Sequence, residues 1–382
     1  MLYTPGAGLR APLLRSILAA KFLQADVDMP IYSPAVGIAA EVPDDRPGYN
    51  MHGLGWQVRI AGTGHYLPRR RVASAEVEAR VRVPEGWALA RSGVAFRHWA
   101  EADERASVMG AAAAREACAR AGVSPGAMDL ILNASGSVER AIPDGGPMLQ
   151  RELGLGASGI PSFSVHATCL SFLAALELAA ERIHHGRIDR ALVVSSEITS
   201  VALDYDNPEV CTLFGDGAAA VVLERAPEGS NSAIHRVGWV TMGEDAELAT
   251  LRGAGTYRHP HSPLTMHADA LFQMQGPLLL KRAIRLMPLL MRKLGMDDAI
   301  RSEVRWIACH QASRAALEFA PRLRFDNAAL VTTLEQTGNC IAASIPLTLD
   351  HGVRDGQVRR GDLGLLIGTG AGMSAAAVLM TY

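Results

Sequence analysis

The sequence predicts an α/β fold with buried sheets, on three observations. Short apolar runs alternate with amphipathic helical segments from Trp56 to the end of the chain, and apolar strands in such an alternation are covered on both faces. The apolar share, 49% of 382 residues, is enough for one large core or two medium ones. The two halves also end alike. "RALVVSS…FGDGAAAVVL" is echoed by "GDLGLLIGTGAGMSAAAVL", each an apolar strand, a glycine turn and a second apolar strand. That echo implies an internal duplication.

The elements follow in order. "WQVRIAGTGHYLP" from Trp56 to Pro68 is a first strand and turn. "ASVMGAAAAREACARAG" is a helix ending on Gly122. "SPGAMDLILNAS" gives a capping serine, a turn and a buried strand. "IPSFSV" is a strand and "CLSFLAALELAAERIHHG" a helix stopped at Gly186. "RALVVSSE" and "GAAAVVLERA" are strands. A long amphipathic helix is expected near residues 268 to 295. "VRWIA" is a strand, "AASIPLTLDHGVRDG" a helix, and "DLGLLIGTGAGMSAAAVLMTY" two strands around a glycine turn.

Residues 1–50 differ from the rest. Arg10, Arg15 and Lys21 precede the first acid, Asp26, as in a weak transit peptide or a basic amphipathic helix, but no clear cleavage site follows. The reading adopted is an extension, either a disordered arm or an upstream in-frame addition, with Met51 as the natural start. The remainder divides into an N-terminal half, 51–225, and a C-terminal half, 226–382.

Composition narrows the function. The net charge of −2, without basic tracts, gives no footprint for nucleic acid or an anionic membrane. No apolar run reaches the roughly 20 residues needed to span a bilayer. Five cysteines without paired metal spacing argue against a disulfide framework and a zinc site, and point to a reducing cytosol. His259, His261 and His267 lie in a Gly/Pro-rich segment that reads as a pocket loop, not a metal site.

Three positions are candidates for chemistry, although each taken alone also reads as structural, Cys169 as core filler and His310 and Asn339 as satisfied polar residues at strand ends. Cys169 sits where a strand turns into a helix, so the unpaired N–H groups and the positive dipole end favour thiolate. His310 ends the strand "VRWIA", and Asn339 lies in a glycine turn just before a helix. An imidazole and a carboxamide can both donate to a developing enolate or oxyanion.

Together these stretches resemble the type III β-ketoacyl-acyl-carrier-protein synthases of the thiolase-like superfamily. The resemblance runs from about Trp56 to Tyr382 and rests on "GWALARSGVAFRHWA", "VHATCLSF", "LFGDGAAAVVL", "MQGPLLLKRAIRLMP", "CHQAS", "TGNCIAASIPLTL" and "GTGAG", in family order. It implies a thiolase-like fold, two duplicated α/β halves in a layered αβαβα arrangement. Cys169, His310 and Asn339 fall on the family's catalytic positions. Cys169 would accept an acyl group from a thioester. His310 and Asn339 would stabilise the enolate left when a malonyl-type thioester loses carbon dioxide. The backbone N–H groups of Cys169 and Ala371 are the implied oxyanion hole. Trp87 and Arg91 fall where relatives bind coenzyme A, and Arg314 lies one position before the family's basic residue. Relatives are homodimers in which a partner residue closes the acyl pocket, here Ile142. An apolar residue there argues against head-to-head condensation with a glutamate base, although Glu139 is three residues away.

The implied substrates are acyl-CoA or an acyl-carrier protein and a malonyl thioester, with no cofactor. The chain departs from the family where a phosphate-site arginine is replaced by "DYDNPEV", with Asp204, Asp206 and Glu209. Acids there repel the phosphates of coenzyme A. His166, three residues before Cys169, is read as a hydrogen-bonded strand-end histidine, with a second acid/base group as the other reading, and Asp216 as part of a tight turn. These departures favour a specialised polyketide or secondary-metabolite pathway over fatty-acid initiation. The alternatives are an acyltransferase to an alcohol or amine, and a non-catalytic subunit of a heteromeric synthase.

Overall fold

A computed structural model describes residues 55–382. The readings for residues 1–50 and for a start at Met51 lie outside the described residues. In the first half, β1 (Val58–Tyr66), β2 (Leu130–Asn133), β3 (Ser162–Ser164), β4 (Arg190–Glu197) and β5 (Gly217–Arg225) form one sheet in the order β1-β5-β4-β2-β3. In the second, β6 (Ala233–Thr241), β7 (Trp306–Cys309), β8 (Ala329–Val331), β9 (Leu363–Gly370) and β10 (Ser374–Thr381) form another in the order β6-β10-β9-β7-β8. The directions also repeat. The first two pairings of each sheet are antiparallel and the last two parallel. The duplication suggested by the echoed strand ends therefore extends to the whole topology of both sheets.

Four helices complete the layers: α1 (Ala106–Ala121), α2 (Ser171–His184), α3 (Gly276–Lys293) and α4 (Ser344–Arg354). Alternation along the strands fixes which helix covers which face. On β4, Ala191 and Val193 join the central core with Phe172 and Leu176 of α2, whereas Leu192 and Val194 join an outer core with Met109 and Ala113 of α1. On β10, Val378 and Met380 face the central core and Ala377 and Leu379 face α3. Ile345 and Leu349 of α4 also lie in the central core. The layers thus run α1, first sheet, α2 with α4, second sheet, α3. Burying a Leu or Phe such as Leu176 or Phe172 contributes about 1.5–3 kcal/mol each.

Local sequence explains the close contacts. The alanine run of α1 lies directly on β1, where a Cβ at Gly62 would sit 2.3 Å from the Ala117 carbonyl and one at Gly64 2.5 Å from that of Ala113. Gly122, with φ 71°, ends the helix as expected. The long helix expected near 268 starts only at Gly276, with Pro277 in its first turn. Before it, His267–Ala270 forms a 3-10 turn and Gln273–Met274 pairs with Ala249–Thr250.

A polar clamp ties α4 to β1. The fully buried Asp350 carboxylate accepts from Thr63 Oγ1 at 2.5 Å, Arg120 Nη1 at 2.8 Å and Arg354 Nε at 2.6 Å, and meets His65 Nδ1 at 2.5 Å. Burial alone would raise this carboxyl, but its partners hold it down at about 2. None of the described helices is long and apolar enough to cross a membrane.

Candidate active site

Beyond β3 the chain makes a 3-10 turn, Thr168–Leu170, that opens α2 and carries Cys169. Ser171 Oγ braces the turn, accepting from Ala167 N at 2.9 Å and donating to Thr168 O at 2.7 Å. Thr168 has φ 52°, a left-handed conformation that is strained for a β-branched residue. The backbone N–H groups of Cys169 and Ala371 both favour the thiolate, and both belong to the oxyanion hole expected from sequence. They are outweighed. Burial, followed by the charge of Glu197, pushes the thiol up to about 12. The expectation that the helix start leaves Cys169 as a thiolate is therefore corrected: the residue keeps some exposed surface, yet burial holds its resting form as the neutral thiol.

His310 follows β7, and its backbone N–H donates to Ile367 O of β9 at 2.9 Å. The ring is buried and Nδ1 has no protein partner. Burial lowers the imidazole to about 4, against an opposing backbone interaction at Ile341, so it is neutral near pH 7. Gly368 on β9 leaves room for it. A Cβ there would lie 3.0 Å from both His310 Cβ and Leu170 Cδ2, the side chain next to Cys169.

Asn339 sits just before the 3-10 turn Ile341–Ala343 that opens α4. Its backbone pairs with the loop of "LFGDG", donating to Leu213 O at 2.9 Å and accepting from Gly215 N at 3.2 Å. The amide is oriented by two further bonds. Oδ1 accepts from Ile341 N at 2.9 Å, and Nδ2 donates to Ala312 O at 3.3 Å, two residues after His310. Ile341, with φ 45°, repeats the left-handed geometry of Thr168. The two turns meet over Gly136, where a Cβ would lie 2.6 Å from Ile341 Cγ2 and 3.1 Å from Thr168 O. The backbone thus draws the segments of Cys169, His310 and Asn339 onto the end of β9.

The remaining positions divide. Trp87 and Arg91 begin and end a short helix whose first turn is held by the buried Glu78, which accepts from Gly86 N at 3.0 Å and Ala88 N at 2.7 Å. Arg314 joins this segment, its N–H donating to Ser92 O at 3.1 Å. Arg91 is paired with Glu209 at 3.1 Å, so one of the acids of "DYDNPEV" faces it directly. Ile142 is 88% exposed and outside the site of its own chain. Glu139 turns back to accept from Ser107 N at 2.8 Å in the first turn of α1, which occupies it as a helix cap. His166 is exposed, with Nε2 3.2 Å from Gly136 O, in keeping with a hydrogen-bonded strand-end histidine. Asp216 is a buried acceptor for Thr199 N at 2.7 Å, Ala100 N at 2.8 Å and Ser200 Oγ at 2.6 Å, which secures the turn. Among the described residues no group of three His, Cys, Asp or Glu side chains could hold a metal ion.

Sequence reasoning missed Glu197, which ends β4 and holds the Gly136–Ser137 turn on which Thr168 and Ile341 meet. The signal was present: an acid closing an apolar strand, and acids are almost never fully buried unless paired.

Residues 163–243 match the family described as 3-oxoacyl-[acyl-carrier-protein (ACP)] synthase III, and residues 295–382 match its C-terminal part. A β-ketoacyl-[acyl-carrier-protein] synthase III of Methylococcus capsulatus is 35% identical over 326 residues, covering 85% of this chain and 98% of the relative. The chain belongs to the β-ketoacyl-[acyl-carrier-protein] synthase III family. Solved structures agree with that membership. The synthase III of Pseudomonas aeruginosa superposes with TM-score 0.75 at 28% identity, covering 85% of this chain and 98% of that one. The priming β-ketosynthase of the R1128 polyketide biosynthetic pathway gives TM-score 0.75 at 27% identity, covering 89% and 99%. The fold is accordingly the thiolase-like αβαβα arrangement of this synthase III family, with its two halves visible as the two sheets.

Proposed function

We propose that this family member is a decarboxylative condensing enzyme with Cys169 as acyl acceptor and His310 and Asn339 as enolate stabilisers. It is an acyltransferase of the β-ketoacyl synthase III type. The observation that carries the residue roles is the convergence of three segments on the end of β9, from β3–α2, β7 and β8–α4.

In the first step the Cys169 sulfur attacks the donor carbonyl. A new thioester forms, the old carbon–sulfur bond breaks, and the thiol proton leaves with the departing coenzyme A or carrier-protein thiol. The Cys169 and Ala371 N–H groups face the oxygen that becomes negative. In the second step a malonyl thioester loses carbon dioxide. The neutral imidazole and the oriented amide donate to the enolate oxygen. The enolate carbon attacks the acyl-cysteine, and the Cys169 sulfur leaves and regains a proton. Neutral His310 suits this role, because an imidazole near 4 stays a hydrogen-bond donor without being an acid at pH 7.

The Arg91–Glu209 pair cancels a cation at the doorway where relatives would meet a nucleotide. This favours a carrier-protein donor over free acyl-CoA and a specialised pathway over fatty-acid initiation. Ile142, Val138 and Val201 are exposed and apolar, which favours a homodimer in which Ile142 closes the partner subunit's pocket. All five cysteines are unpaired, in keeping with a reducing cytosol. The halves 51–225 and 226–382 are the units we assign to the nucleophile and to the enolate donors.

The test is to supply an acyl donor and a malonyl thioester and follow product and carbon dioxide together. Equal amounts of β-ketoacyl thioester and carbon dioxide support the reading. Acyl ester or amide without carbon dioxide would replace it with transfer to an alcohol or amine.

A further inference from the structure

Glu197 is the last residue of β4 and has no exposed surface. Oε1 accepts from Gly136 N at 2.6 Å, and Oε2 accepts from Ser137 N at 2.8 Å and Ser137 Oγ at 2.6 Å. The carboxylate is therefore supported by hydrogen bonds, without a paired cation among the described residues.

Its place follows from the duplication. Glu197 ends the fourth strand of the first half as Gly370 ends that of the second. Gly370 leads into Ala371, whose N–H faces the Cys169 sulfur. Glu197 instead faces Ala342, the middle residue of the turn Ile341–Ala343, as Cys169 is the middle residue of Thr168–Leu170. The same architectural position holds a thiol in one half and, in the other, a buried carboxylate cradled by backbone N–H groups. The Gly136–Ser137 turn that Glu197 grips is the one on which Thr168 and Ile341 meet.

We propose that Glu197 is a positioning residue for the condensing reaction, whose negative charge, lodged between the Cys169 and Asn339 turns, keeps the proton on the Cys169 sulfur until an acyl donor is seated. The proposal rests on the reading of Cys169 as nucleophile. A carboxylate in a water-poor interior acts on a neighbouring thiolate far more strongly than it would in solvent. The titratable groups around it are Cys169 from the α2 turn, Cys340 from the turn after Asn339, and Asp216 next to Cys340. His310, neutral near pH 7, flanks the site from β7. The two acids and the thiols leave no positive charge to offset Glu197. Once a donor carbonyl is bound, the thiol proton can leave on the departing thiol, so no free thiolate is required at rest.

The experiment is alkylation of Cys169 by iodoacetamide, quantified by peptide mass from about pH 5 to about pH 10. Glu197→Gln keeps the shape and removes the charge, and Glu197→Asp keeps the charge. The Gln variant should alkylate at least roughly tenfold faster near pH 8, the effect of one pKa unit or more, and the Asp variant should stay within about twofold of wild type. An unchanged Gln variant, or equal changes in both, overturns the proposal. Should the Gln variant not fold, the wild-type curve still decides. Burial raises Glu197 to about 7, so the rate should climb with pH to that point and then flatten as the carboxylate ionises. A rate that climbs through it without a break overturns the proposal. Mapping the acyl group from a thioester donor to a residue other than Cys169 would instead sink the nucleophile reading, and leaves the alkylation curve as a separate result.

Discussion

The turn Thr168–Leu170 opens α2 in the first half, and the turn Ile341–Ala343 opens α4 in the second. Each follows a short parallel strand, each begins with a left-handed β-branched residue, and each leads into a helix whose first residue is a serine. The backbones are equivalent, but the contents differ. The first turn holds a thiol under the N–H groups of Cys169 and Ala371. The second holds Ala342 and a carboxylate, and displays its polar group, Asn339, two residues ahead of the turn. On the roles proposed above, one half forms the covalent bond and the other holds the developing negative charge. The repeated topology supplies two equivalent helix starts, and under the proposed roles side-chain choice divides the labour between them.

The largest effect that can break this division is Cys169→Ala. Acyl loading should fall on the order of 10³-fold or more, while carbon dioxide release from a malonyl thioester persists. Loss of both activities together would mean that the halves are not separable. Asn339→Ala is the converse: carbon dioxide release should drop about 10²-fold and loading change by no more than about threefold, measured by single-turnover mass spectrometry.

Asp350→Asn probes what holds the two halves in register. It should cost roughly 2 kcal/mol in urea unfolding, because the partners of a buried carboxylate lose their charge complement. The folded carboxyl lies near 2, below its ordinary value of 3.8, so its stabilisation is complete above that value and is lost as pH falls toward 2. The Asn variant should lack that acid-side loss.

His310 sharpens the comparison by pH. With the imidazole lowered to about 4, carbon dioxide release should hold as pH falls through 6, where an ordinary histidine would already have charged. A fall in rate centred near the ordinary histidine value would contradict the buried, neutral ring. The smallest effect is expected at the doorway: Glu209→Gln frees Arg91 and should improve use of acyl-CoA a few-fold, with carrier-protein donors unchanged, since exposed ion pairs are weak.

Much of this was legible in the sequence because it is local. Cys169, His310 and Asn339 each stand at a junction marked by an apolar run and a small-residue turn, and the layered duplication is written in the repeated strand–glycine–strand ends. What escaped depends on distant partners. Glu197 meets Gly136, 61 residues away, and Asp350 meets Arg120, 230 residues away. No spacing rule links such pairs. The left-handed Thr168 and Ile341 also escaped, because β-branched residues carry no local signal for that conformation. The protonation of Cys169 was misjudged for the same reason. A helix start is visible in sequence, whereas the burial that outweighs it is created only when the two sheets close over α2 and α4.

The most direct test of the central claim is the intact mass of wild type and Cys169→Ala after mixing with acyl-CoA and acyl-carrier-protein donors. The account predicts a mass gain of one acyl group on the wild type, absent from the variant, with carrier-protein donors the more efficient. The same gain on both proteins would contradict it, because the acyl group would then sit on a residue other than Cys169.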